Sequence, residues 1–302
     1  MESFKQQKTE DIGSFESKFK QVERLERTGG KVEVYDIKPE NQKSEIPTVL
    51  APGWAATPEV FKENIRVLTG LERRVISVNA PHGIETASME EYPDAELRKA
   101  AALISVLEEK NIEKIDAIGH SDAGIYLIIA ATLYPERFRN IVLIDPSGMI
   151  GEDTVPRLLV ESSMELIGEV VRGIKDRTIR KPLFRHNIVA GKVIGKNPIR
   201  SFREILAITD FQIQDLLRDL KKKGVGISII HGVDDKFFPI DKVGQIANKD
   251  MVDGFYSVKG SHNEIFLNPE KYTKLAENAL SSLEAKAAKK KNEQSGTPEL
   301  QE

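Results

Sequence analysis

Short runs of Ile, Val and Leu recur along this chain, each separated from the next by a segment with helical periodicity, and that alternation limits the fold more than any other feature. Lys31–Ile37 alternates apolar and polar residues after the Thr28-Gly29-Gly30 turn signal, with Phe19–Leu25 as its expected hairpin partner. Ile46–Leu50, Val75–Val78, Ile115–Ile118, Ile141–Ile144, Ile227–Ile230 and Phe255–Val258 follow. Most are compact β-branched runs, as strands covered on both faces require. Between them, Pro58–Leu68 and Ala95–Leu107 place apolar residues at helical spacing. The expectation is an α/β fold, a mainly parallel central sheet with helices on both faces and right-handed crossovers.

The alternation stops after Ser147. From Met149 to Gly224 the patterns are helical, as in Leu159–Val171 and Phe202–Leu220, with Pro182 and Pro198 as breaks. This block reads as an inserted helical cap. The chain thus divides into a core of residues 1–148 and 225–288, a cap of 149–224 and a polar tail of 289–302 expected to be disordered.

Composition narrows the function classes. A formal net charge of -3 with 30% charged residues offers no global attraction to nucleic acid or an acidic membrane. The absence of cysteine removes disulfides, thiolate metal sites and a cysteine nucleophile together. Met1–Ser17 lacks the apolar stretch of a secretion signal. The longest apolar run, Ile125–Leu133, falls far short of the roughly 20 residues that span a bilayer, so no integral membrane segment is expected and a cytoplasmic location is the default.

The strongest local signal is Ile115–Tyr126, reading I-D-A-I-G-H-S-D-A-G-I-Y. A strand runs through Gly119-His120-Ser121-Asp122-Ala123 into a small, apolar helix, the arrangement a nucleophile elbow needs. The plain alternative is a helix start capped by Ser121 or Asp122. A serine hydroxyl needs a positioned base. Of His82, His120, His186, His231 and His262, the last follows a strand in a loop able to present it at the sheet edge. His120 is expected to point away from the nucleophile, and His231 to be a hydrogen-bonded core residue. The orienting acid has three candidates, Asp235 and Asp234 after Ile227–Ile230 and Asp145 after Ile141–Ile144. Oxyanion donors are expected at the backbone N–H groups of Asp122 and of Trp54 in Pro52-Gly53-Trp54.

From Lys31 to Leu283 the chain resembles the α/β-hydrolase superfamily. The Ser121 elbow is similar to that family's serine motif, with Ala123 where glycine is usual. Gly232-Val233-Asp234-Asp235-Lys236-Phe237-Phe238-Pro239 resembles its acid turn, which selects Asp235 over Asp234. Gly260-Ser261-His262 followed by Asn268-Pro269-Glu270 resembles its histidine loop and last helix. Two features depart from the pattern. Pro52-Gly53 stands where His-Gly is frequent, and Asn79-Ala80-Pro81-His82-Gly83 only approximates the family's glycine-rich loop.

The expected chemistry is acyl transfer to water by Ser121, Asp235 and His262 on a small-molecule acyl substrate, a carboxylic ester first. A C–C bond hydrolase, amidase or peptidase, lipase and acyltransferase use the same constellation, and a catalytically silent binding protein shares the fold. No metal motif or phosphate loop is visible, and no cofactor is expected. Arg172 to Arg203 carries ten Lys or Arg residues and one acid, Asp176. That run reads as a solvated helix face, or as a surface that attracts anionic substrates or acidic lipid.

Overall fold

A computed structural model describes residues 13–151 and 153–295. Eight strands form one sheet in the order β1-β2-β4-β3-β5-β6-β7-β8. β1 (Glu23–Arg27) and β2 (Gly30–Ile37) make an antiparallel hairpin, and β2 is antiparallel to β4 (Val75–Asn79). The others, β3 (Thr48–Ala51), β5 (Ile115–His120), β6 (Phe138–Ile144), β7 (Gly226–Gly232) and β8 (Gly254–Val258), run parallel. The hairpin partner starts later than Phe19, because residues 13–20 are helical and bury Phe15 and Phe19 against Tyr35.

One face of the sheet is covered by α1 (Lys62–Gly70) and the long last helix α10 (Pro269–Ser295), around Phe61, Ile65, Tyr272 and Leu280. α2 (Asp94–Glu109) and α3 (Ala123–Leu133) cover the other, around Leu103, Leu107 and Leu127. Residues 123–131 of α3 are all buried, which suits a helix apolar on every side. α10 continues to Ser295, past the position where the polar tail was expected to begin; residues 296–302 lie outside the described residues.

Between β6 and β7 come four helices: α4 (Val155–Lys175), α5 (Arg180–Lys196), α6 (Pro198–Asp210) and α7 (Gln214–Lys222). The first three pack on one another, while α7 packs on α3 beside β7 as an ordinary crossover helix. Thr154 and Asn197 cap α4 and α6 through their side-chain oxygens, each followed by a proline in the first turn. Pro182 breaks nothing, because it sits in the first turn of α5, where its missing N–H has no helical partner to lose. Phe202–Leu220, expected as one helix, is two. The chain turns at Phe211–Ile213, where the Ile213 N–H donates to Gly148 O (3.0 Å). Gln212 adds two bonds to Gly151, accepting from its N–H (3.0 Å) and donating to its carbonyl (2.8 Å). The excursion α4–α6 therefore leaves and re-enters through one hydrogen-bonded neck.

Candidate active site

Everything chemically notable lies at the carboxyl ends of the parallel strands, where the crossovers leave room for a crevice. β5 ends at His120, and Ser121 turns the chain at φ 56° into α3. A non-glycine residue in that left-handed region is strained by about 1–3 kcal/mol and must be held there. The Ser121 N–H donates to Ile144 O (3.0 Å), and its carbonyl accepts from Gly124 N (2.8 Å) and Ser147 N (3.2 Å). A Cβ on Gly119 would lie 2.5 Å from Leu127 Cδ1, so glycine there lets strand and helix close on each other. Ala123, where the motif departs from glycine, is fully buried in the same contact.

Ser121 Oγ lies 2.9 Å from His262 Nε2, and His262 Nδ1 lies 2.9 Å from Asp235 Oδ2. Asp235 Oδ1 accepts from Phe238 N at 3.0 Å, which orients the carboxylate. All three residues are buried, whereas Asp234 is exposed. The geometry thus brings together the three groups expected from sequence and separates Asp235 from its neighbour. His262 stacks on Phe237, with centroids 4.4 Å apart.

His120 departs from expectation. Its ring faces the pocket, with its centroid 4.9 Å from that of His262, and its Nε2–H donates to His262 O (2.9 Å). Burial holds this ring well below the usual imidazole range, so it serves as a neutral clamp on the His262 backbone. His231 is buried and its Nε2–H donates to Phe238 O (2.7 Å), as a core role requires. Asp145 accepts from Gly232 N (2.6 Å) beneath the His–Asp pair. Burial and the neighbouring Asp235 push its carboxyl well above the ordinary range.

Burial opposes a charged ring at His262. The Asp235 carboxylate bonded to Nδ1, with Glu165 and Asp145 nearby, outweighs that and carries the ring up to about 9. Two further acids, Glu165 and Glu169, face inward from α4. The Asn263 N–H donates to Glu165 Oε1 (3.3 Å), and burial raises both carboxyls, Glu169 to about 7. Sequence reading missed them, since acids on an amphipathic helix are expected to face water.

Trp54 follows β3 and borders the pocket, its Nε1–H donating to Ser201 O (3.3 Å) on α6. Among the described residues, no turn or loop hydrogen bond occupies the backbone N–H of Trp54 or of Asp122. The Asp122 side chain is pinned from behind by Lys99, which also holds Glu96 at 3.0 Å and lies 3.8 Å from Glu204 on α6.

Above Ser121 opens a cavity of about 200 Å³ roofed by the inserted helices. Leu158, Leu166, Ile205, Ile208, Phe238 and Phe266 make it mainly apolar, with Glu169, His186 and Asn187 as polar points. Burial lowers His186 to about 4, which keeps the ring neutral. Among the described residues, no Lys or Arg lines the cavity. Lys181, Arg185, Lys192 and Lys196 border a separate groove from α5, while His186 and Asn187 of the same helix face Ser121. Two other cations of the basic run have internal partners. Arg172 pairs with both oxygens of Glu264 (2.7 and 2.8 Å), and Arg180 donates to the carbonyls of Gly173 and Ile174 at the end of α4. Two sets, His120–Asp145–His262 and Asp145–His231–Asp235, bring metal-ligand atoms within 4.8 Å of one another. A cation there would compete with the His262–Asp235 and His231–Phe238 hydrogen bonds.

The family described as alpha/beta hydrolase fold matches residues 47–186. A protein of Mycobacterium phage D29 named as a non-heme haloperoxidase is 23% identical over 237 residues, covering 74% of this chain and 84% of its own. The enol-lactonase of Burkholderia xenovorans superposes with a TM-score of 0.65 at 14% identity, over 86% of this chain and 100% of that one. A thermophilic esterase of Thermogutta terrifontis gives 0.61 at 18% identity, over 87% and 99%. With the sheet order and the strained serine turn, these likenesses carry one conclusion: the chain has the α/β-hydrolase fold, and the family model of that fold matches its residues 47–186.

Proposed function

We propose that the chain is a serine hydrolase that cleaves a carboxylic ester through an acyl-enzyme. The observation that carries this reading is the hydrogen-bonded series Ser121–His262–Asp235 at 2.9 Å per link, beneath an apolar cavity. With the His262 ring neutral, the Ser121 hydroxyl donates to Nε2 and its oxygen attacks the ester carbonyl. His262 takes the proton and passes it to the leaving alkoxide, while Asp235 accepts from Nδ1–H and stabilises the imidazolium. Water then attacks the acyl-enzyme with His262 again as base, releasing the acid and restoring Ser121. The N–H groups of Trp54 and Asp122 are the proposed oxyanion donors, each contributing about 2.7–4 kcal/mol to the transition state.

The cavity lining supports a neutral, apolar acyl group. Helices α4–α6 act as the cap that shapes it, without α7, which packs on the core, and the cations of α5 act from outside it. The lack of cysteine and of any described helix long and apolar enough to cross a membrane fits a cytoplasmic setting. A fluorophosphonate probe is expected to label Ser121, and S121A to stay unlabelled and to lose hydrolysis of p-nitrophenyl esters. A folded wild-type protein that neither labels nor turns over short-chain esters would sink the proposal. Amide and diketone substrates in the same screen test the narrower choice of ester.

A further inference from the structure

Helix α4 is inside out. Its buried positions include Glu165 and Glu169, whereas Val160, Met164, Ile167, Val171 and Ile174 are 48–68% exposed. Single exposed apolar side chains need no explanation, but a continuous run of them marks an interaction surface. These five are spaced by 4, 3, 4 and 3 residues, which is the seam of a two-helix coiled coil rather than a random scatter. The stripe is also flanked by charges of opposite sign at its two ends, Glu161 and Lys175, with Gly168 midway between them.

We propose that this face is the interface of a homodimer in which the α4 helices of two copies pack antiparallel about a two-fold axis beside Gly168. In that register Ile167 meets the partner's Val171, Met164 meets the partner's Ile174, and Glu161 stands opposite the partner's Lys175. The two-fold repeats each pair, so the patch is complementary to itself, as a closed dimer requires. Parallel pairing would instead leave Glu161 and the partner's Lys175 about 20 Å apart along the helices. An anionic lipid surface would be repelled by Glu161 beside the stripe, and of the cations of α4, Arg157 is paired with Asp153 and Arg172 with Glu264.

Gly168 supplies a second observation. A Cβ there would meet nothing within 4 Å, so the chain's own fold does not call for glycine. Glycine weakens a helix interior, and its presence at the middle of an exposed apolar seam is accounted for if another backbone comes close.

Sedimentation velocity of the full chain, from nanomolar to high micromolar concentration, tests this independently of any activity. The wild type is expected to dimerise and Ile167→Glu to remain monomeric, with circular dichroism confirming the fold. Glu161→Lys and Lys175→Glu should each weaken association by about tenfold, and the double reversal should restore it. A wild type that stays monomeric throughout overturns the proposal. So does a dimer indifferent to Ile167→Glu, or a double reversal that restores nothing. Monomer binding to phosphatidylcholine–phosphatidylserine vesicles, lost in Ile167→Glu, would assign the face to lipid and overturn it as well.

Discussion

Ser121 sits in a conformation it does not prefer, and its surroundings make that tolerable by using both its N–H and its carbonyl. His262 is controlled in a different way, through charge. For the ring to act as a base it must first lose a proton that Asp235, Glu165 and Asp145 help to retain. Hydrolysis is therefore expected to rise with pH through about 9, above which the neutral ring predominates. Replacing Glu165 by Gln removes a negative neighbour, makes the imidazolium easier to deprotonate and should move the rising limb of kcat/KM to lower pH, by up to about one unit. An unmoved limb would mean that Glu165 is already neutral where His262 titrates. Ser121, His262 and Asp235 were legible from sequence because each follows a strand, and strands announce themselves by composition. Glu165, Glu169 and the inward turn of His120 were not. Which side of a helix or turn faces the interior depends on partners distant in sequence, and no local pattern encodes them.

The elements themselves were read well where a single periodicity ran unbroken, as in β3 to β8, and less well where tertiary bonds set the boundary. The division between α6 and α7 depends on Ile213 reaching back to Gly148, a contact across 65 positions that periodicity does not register. The inserted helices α4–α6 are joined to the rest of the chain by a few polar links: Arg172 to Glu264, Arg157 to Phe237 O (2.7 Å), His82 to Glu204 (2.8 Å) and Trp54 to Ser201 O. Of these, the Arg172–Glu264 pair ties α4 to the short helix α9 (Glu264–Leu267), which directly follows the His262 loop. Arg172→Ala leaves a buried carboxylate without its partner and should lower stability by about 1–3 kcal/mol, measurable by chemical denaturation. Faster proteolysis within α4 and α5 is expected to accompany it. Wild-type resistance in the variant would show that α4–α6 are held by their apolar contacts alone.

Across the whole molecule, chemistry and cohesion occupy opposite ends of the sheet. At the amino end of β5, Arg73 is completely buried, donating to Asp116 (3.1 Å), Glu284 (3.0 Å) and both oxygens of Glu277 (2.7 and 3.0 Å). This cluster fastens α10 beneath the strands, far along β5 from Ser121. Arg73→Met should cost up to about 3–5 kcal/mol, because the buried Asp116 and Glu277 lose their shared cation and keep only Arg139 and Lys43. The fraction that remains folded should label with fluorophosphonate as the wild type does; a selective loss of labelling would show that the two ends are coupled. The neck at Gly148, Gly151, Gln212 and Ile213 has an effect on a longer timescale. Because the roof departs and returns at one knot, its replacement by a longer or shorter excursion leaves the path of β6, α7 and β7 intact. Closing a loop twice as long costs only about 0.6 kcal/mol more. The inserted helices can thus be lengthened or shortened at little cost to the sheet that holds Ser121, Asp235 and His262.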